Sequence, residues 1–208
     1  MAPRPRVALL GCGALAEILA ERVYPAARDV VEVAAAVDLR SERAEELGRR
    51  LGAPAFSSLR DAAAAVELDG VDVRLPHHLH LEGARRAAEL GLPFLIEKPM
   101  APSLDEAREI ASLASQVNGP CGVSENYGHL APVLAARRLL HGGAIGELLA
   151  VQATRVFELG PEWRRDGWRL AGGGPAGVLI DQVPHVARLV RTVVGELAEV
   201  QAYIPPGA

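Results

Sequence analysis

Lysine is almost missing from this chain. Of its 22 basic residues, 21 are arginine and Lys98 alone is lysine. Codon bias accounts for an Arg- and Ala-rich composition in general. Arg cannot replace Lys, however, where a proton must be lost or a compact ammonium must fit, so Lys98 is a candidate before any motif is read. Cysteine is also scarce. Cys12 and Cys121 cannot build a disulfide framework and fit a reducing compartment. There is no excess of positive charge. A formal net charge of −4 gives no footprint for binding a nucleic-acid backbone. No apolar run approaches the roughly 18 to 20 residues that span a bilayer. The first thirteen residues lack the apolar stretch and cleavage site of a secretory signal, so a cytoplasmic location is expected, without nucleic-acid or membrane partners. Internal repeats and coiled-coil heptads are absent as well. What remains is globular composition, with 50% hydrophobic and 23% charged residues in 208. That is enough chain for one large domain or two small ones.

Short apolar runs alternate with helical stretches. Val7–Leu10, Val30–Val37, Ala53–Phe56, Val71–Leu75, Pro93–Ile96 and Gly122–Asn126 have strand character. Between them, helices are expected after Gly13, after Ser41, over Asp61–Val66, over Leu81–Leu90, and from a capping box at Ser103-Leu-Asp-Glu106 to about Val117. This alternation predicts an α/β fold, a doubly wound parallel sheet over residues 1–126. Right-handed crossovers put the strand C-terminal ends on one edge, where ligands of open α/β sheets bind. Gly11, Asp38, Pro76 and Lys98 all follow strand ends, so they are expected on one cleft. Beyond Asn126 the pattern changes. A helix over Ala131–Leu140, strands over Leu148–Phe157 and Ala198–Ile204, and a helix over Val178–Val194 predict a partial α+β substrate domain over 127–208.

Gly11-Cys-Gly-Ala-Leu-Ala16 has the form G-x-G-x-x-A between a strand and a helix. Gly11 permits the tight turn, Gly13 lets backbone approach a pyrophosphate, and small Ala16 allows close helix–strand packing. The N–H groups at the helix start, from Ala14 and Leu15 onward, suit phosphate. Asp38, at the end of the second strand, is placed to accept from the adenosine ribose hydroxyls and to repel a 2′-phosphate. NAD is therefore expected, with Arg40 leaving NADP open.

Glu97-Lys98-Pro99 follows the fifth strand, and Asp181 and His185 stand four apart in the last helical stretch. With the glycine loop, Asp38, the Pro76–His80 loop, Gly142-Gly-Ala-Ile-Gly-Glu147 and Gly172-Gly-Gly174, these residues resemble the Gfo/Idh/MocA family of NAD(P)-dependent oxidoreductases, which act mainly on sugars and cyclic polyols. The resemblance implies a Rossmann-type dinucleotide domain and a catalytic group of Lys98, Asp181 and His185, with a cis bond at Lys98-Pro99. It further implies cofactor contacts at Gly11, Cys12, Gly13, Ala14, Leu15, Asp38, Arg40, Leu75, Pro76, His77, His80, Glu97 and Lys98. In that reading His185 is the general acid/base, Asp181 orients it, and Lys98 polarises the substrate oxygen. An i,i+4 pair shares a helix face, which agrees. Pro184 fits if the helix starts near Ile180, because first-turn N–H groups have no intrahelical partner.

The chain departs from the family pattern in three places. Leu75-Pro76-His77 replaces Thr-Pro-Asn, Val183 replaces a frequent Gly, and Gly128 stands where Arg often follows the pair Asn126-Tyr127. Tyr127, Arg155, Trp163, Arg164 and Trp168 are candidate substrate contacts, with a solvated loop pinned by two tryptophans as the alternative for the last three. His77, His78 and His80 lack carboxylate or thiolate partners at ligand spacing, and no metal is expected. The family continues into a larger open sheet, for which only 148–157 and 198–204 are available here, so the chain reads as shortened at its C-terminal side. Two strands leave edges open, so self-association into a homo-oligomer, or else a mobile C-terminus, is expected. The expected function is hydride transfer between NAD and a carbinol carbon of a sugar or cyclitol. NAD-dependent glycosidase chemistry and a dinucleotide-binding subunit without turnover are the alternatives.

Overall fold

The alternation builds one sheet. A computed structural model of the chain describes residues 3–156, 158, 160–164 and 178–203, without the side chains of residues 162, 164 and 178. Six strands, β1 (Arg6–Leu10), β2 (Glu32–Val37), β3 (Ala55–Phe56), β4 (Gly70–Val73), β5 (Phe94–Glu97) and β6 (Gly122–Ser124), pair in parallel in the order β3-β2-β1-β4-β5-β6. Helices α1 (Ala14–Arg22), α2 (Ser41–Leu51), α3 (Leu59–Ala65), α4 (His80–Glu89) and α5 (Leu104–Ala114) connect them. The order reverses at β1, so the ends of β1 and β4 flank the switch point where such sheets bind ligands.

Strand register explains the two cores. Leu10, Val37, Val73 and Ile96 lie side by side on one face and pack with Leu59, Ala62, Ala84, Ala87 and Ile110 of α3, α4 and α5. Leu9 and Ala36 point to the other face, against Ala16 and Ala20 of α1 and Ala44 and Leu47 of α2. Alanine at so many contacts brings helices close to the sheet, which holds the helix starts beside the strand ends. The Ser103 hydroxyl accepts from the Glu106 N–H at 3.3 Å and starts α5, as the capping-box pattern predicts. Ser41, by contrast, is the first residue of α2 and Arg40 occupies the cap.

The chain separates into two compact units, Met1–Ser124 with Leu159–Asp181, and Glu125–Glu158 with Gln182–Ala208. The first also holds α7 (Pro161–Arg164) and the start of α8 (Val178–Val194); the second holds α6 (Ala131–His141) and the rest of α8. Among the described residues the second unit contains no strand, which corrects the expected α+β character of 127–208. Residues 148–156 and 198–203 are irregular, while Phe157 and Ile204 lie outside the described residues. Apolar and β-branched composition makes a strand only where a neighbour completes the ladder, and neither segment has one among the described residues. Helix α8 covers Val178–Val194, the stretch expected to be helical, but Pro184 is interior to it and not in a first turn starting near Ile180, which is a second correction. Pro184 has no N–H to donate, so the Ile180 carbonyl loses its helical partner. No helix among the described residues is long and apolar enough to cross a membrane.

Candidate active site

At the strand ends the first unit carries a cleft. Its walls are Gly11, Gly13, Ala14 and Leu15 from the glycine loop, Asp38 and Arg43 after β2, Arg74 to His77 and His80 after β4, and Glu97 and Lys98 after β5. Gly11 has φ +99°, and a Cβ on it would lie 2.9 Å from the Arg74 carbonyl carbon and oxygen. Only glycine lets β1 turn this close to β4. A Cβ on Gly13 would meet nothing within 4 Å, and α1 starts there without a side-chain cap. Open space above uncapped helix N–H groups suits a pyrophosphate. The glycine loop therefore fits a dinucleotide.

Two expected cofactor contacts lie off the cleft wall. The Cys12 side chain is 1% exposed and points into the core, and burial followed by the neighbouring Asp38 pushes its thiol up to about 12. Cys12 acts through its backbone, whose N–H donates to Asp38 Oδ2 at 2.8 Å. Arg40 is exposed, and its N–H donates to Asp38 Oδ1 at 2.9 Å. Asp38 thus braces the glycine loop as well as facing the cleft. Arg43, from the first turn of α2, lines the wall instead of Arg40.

His80 is buried, with Nδ1 2.9 Å from the Pro99 carbonyl and Nε2 2.9 Å from the Leu75 carbonyl. Its ring sits between the loop after β4 and the loop after β5, and in the neutral form its single N–H donates to one of the two carbonyls. Burial lowers it to about 4, so the imidazole is neutral. His77 is 2% exposed and lines the same cleft.

Glu97 is already engaged. Its carboxylate takes an ion pair from Arg74 Nη1, while Arg74 Nε lies 2.7 Å from Asp72 Oδ1 and the Tyr24 hydroxyl donates to Asp72 Oδ2. The Arg74, Asp72 and Glu97 side chains are only 6%, 10% and 17% exposed. Burial raises the Glu97 carboxyl, and Arg74 followed by Lys98 opposes that rise. The sequence held one cue to this network, a charged Asp72 inside the apolar strand Val71–Val73, where a buried carboxylate requires a partner.

Lys98 precedes a cis peptide bond to Pro99. Its ammonium donates to Asp181 Oδ1 at 2.8 Å and to the Asp181 carbonyl at 2.7 Å, with both side chains nearly buried. Within the second unit, His185 Nδ1 lies 2.5 Å from Glu125 Oε1. The Tyr127 ring stacks on His185 with centroids 4.3 Å apart, and Arg155 donates to the Tyr127 hydroxyl and to Gln182 Oε1. Glu125 thus supplies a carboxylate at His185 Nδ1 that the sequence pattern did not name, and the Lys98 ammonium bonds Asp181 Oδ1. A Cβ on Gly128 would lie 2.4 Å from Arg188 Nε, so a guanidinium from α8 fills the space at that position. Among the substrate candidates, Tyr127 and Arg155 meet, and Trp163 stands in α7. The Arg164 side chain, Trp168 and the glycines 172–174 lie outside the described residues. Among the described residues no three His, Cys, Asp or Glu side chains group as metal ligands.

The profile of the Gfo/Idh/MocA oxidoreductase family, NAD-binding Rossmann fold, matches residues 5–125. The chain belongs to this family. The profile of the Gfo/Idh/MocA C-terminal domain matches residues 133–206. Levoglucosan dehydrogenase of Pseudarthrobacter phenanthrenivorans is 31% identical over 173 residues, 78% of this chain and 43% of the relative. D-glucoside 3-dehydrogenase of Escherichia coli is 28% identical over 193 residues, 91% of this chain and 54% of the relative. The chain thus spans about half the length of the curated relatives it matches. The WlbA dehydrogenase from Bordetella pertussis, solved with NADH and UDP-GlcNAcA, shares the fold, with TM-score 0.78 and 21% identity over 94% of this chain and 56% of that one. The cleft residues of this family member accordingly lie on an NAD-binding Rossmann domain.

Proposed function

We propose that the protein is an oxidoreductase interconverting a carbinol and a carbonyl carbon on a sugar or cyclitol, with NAD as redox partner. The observation that carries this reading is the Lys98 ammonium on the wall of the dinucleotide cleft, held by two bonds to Asp181. The relatives named as dehydrogenases of levoglucosan and of D-glucosides support a sugar substrate. NAD, when bound, supplies the two-electron chemistry by accepting or giving a hydride. The glycine loop and the start of α1 bind its pyrophosphate, and Asp38 accepts from the ribose hydroxyls while bracing that loop. Lys98 has three N–H groups, two of which bond Asp181. Its third N–H donates to the substrate oxygen and stabilises negative charge as it develops there. His185 exchanges the hydroxyl proton. Arg74 holds Glu97, and so the strand end that carries Lys98.

Lys98→Arg tests the assignment. Arg keeps the charge but is planar and larger, so the donor is displaced. Binding of NAD by the purified variant should stay within about twofold, while turnover on the best substrate of a sugar and cyclitol panel, read by NADH absorbance, should fall by roughly 100-fold. Full activity in Lys98→Arg would show that arginine serves here as it does elsewhere in the chain, and the assignment would fall.

A further inference from the structure

His185 meets two groups that its sequence neighbourhood does not supply, the Glu125 carboxylate and the Tyr127 ring. Glu125 Oε1 lies 2.5 Å from Nδ1, and the two side chains are 12% and 13% exposed, so water competes little for the contact. The other carboxylate oxygen of Glu125 accepts the Tyr127 N–H at 3.1 Å, which stops the carboxylate from rotating away. Tyr127 then lies flat against the imidazole, its ring plane 23° from that of His185. Arg155 Nη1 donates to the Tyr127 hydroxyl, and Arg155 Nε donates to Gln182 Oε1 at 2.9 Å, so the stacked ring is itself anchored to α8.

We propose that Glu125 is the positioning residue of His185, holding the Nδ1–H tautomer so that Nε2 carries the lone pair that exchanges the substrate proton. An ionised carboxylate is an acceptor only, so the nitrogen facing it carries the hydrogen. A neutral imidazole has one N–H, and fixing it on Nδ1 assigns the basic lone pair to Nε2. Glu125 also steadies the imidazolium that forms when His185 takes a proton, in a partly buried setting where a nearby opposite charge counts for more than in water. The catalytic use of this contact rests on the oxidoreductase reading above; the contact itself does not.

The test is the tautomer. Long-range nitrogen–proton correlation spectra of the protein labelled at histidine nitrogen, with His185→Gln to assign the signals, read which ring nitrogen bears the hydrogen. In the unmodified protein His185 should be locked as Nδ1–H. In Glu125→Gln the lock should be lost, and in Glu125→Asp partly kept. Turnover in Glu125→Gln should fall by about 10- to 100-fold with KM within about twofold, as when the second partner of a functional histidine is removed. Glu125→Asp should recover part of the loss. An Nε2–H tautomer in the unmodified protein, or an unchanged tautomer in Glu125→Gln, overturns the proposal whatever the turnover. A locked tautomer in a protein that turns over no member of the panel upholds the positioning by Glu125 and overturns the oxidoreductase reading instead.

Discussion

Acid should loosen this fold through His80 before it protonates ordinary carboxylates. In the folded chain the imidazole resists protonation until about pH 4, because burial penalises the charged ring more than the Leu75 and Pro99 carbonyls favour it. In the unfolded chain it titrates near 6.5. Between those values the unfolded state binds more protons, so stability falls as the pH drops from about 6.5 to about 4 and is level with respect to this group above neutrality. The interval corresponds to about 3 kcal/mol, a large share of the 5–15 kcal/mol that holds a typical domain together. Urea unfolding at pH 7, 6, 5 and 4.5, for the unmodified protein and for His80→Gln, isolates the effect, since every other group titrates in both. Glutamine cannot titrate. It should cost about 1–3 kcal/mol at pH 7, through a carbonyl left without its donor, and then show the shallower pH dependence. The curves should converge toward pH 4. Parallel curves for the two proteins would mean that His80 is not held neutral by burial, and the reasoning would fail.

Arg74→Met should destabilise the first unit by about 3–5 kcal/mol, because it strands the buried Asp72 and Glu97 carboxylates without their cation; a urea midpoint within error of the unmodified protein would refute this. Gly11→Ala should weaken NAD binding and stability together, by about 2 kcal/mol or more in unfolding free energy, since φ is +99° and the new Cβ would press on the Arg74 backbone. Calorimetry and NAD titration check it, and normal values in both would sink it. Asp38→Ser should lower the NAD/NADP affinity ratio by about tenfold, since the acid disfavours a 2′-phosphate. It should also weaken both cofactors by loosening the bond to the Cys12 N–H. Tighter NADP than NAD binding in the unmodified protein would overturn the preference.

Where a feature depends on neighbours along the chain, the residues alone sufficed. The strands β1 to β6 are apolar runs bounded by glycine, proline or charge, and their alternation with helices dictates a parallel sheet with its ligand edge at Gly11, Asp38, Pro76 and Lys98. The glycine loop and the capping box at Ser103 are likewise local, because a turn angle or an unsatisfied N–H selects the residue type on the spot. Lys98 stood out by composition, since the chain uses arginine everywhere else.

What only the tertiary structure decided is which charge meets which. Asp181 and His185 are one helical turn apart, and packing adds a distant partner to each: a lysine 83 residues away bonds the carboxylate and a glutamate 60 residues away meets the imidazole. Asp72 and Arg74 are adjacent on one strand face, but Glu97 and Tyr24, which complete their network, come from another strand and from the turn after α1. Arg43 and not Arg40 lines the cleft wall, and residues 148–156 and 198–203 are irregular, with no strand beside them among the described residues. Strand, turn and cap preferences act over a few bonds and leave their mark in the local sequence. Ion pairs and ladders join groups from distant parts of the chain, and only packing brings those groups within reach.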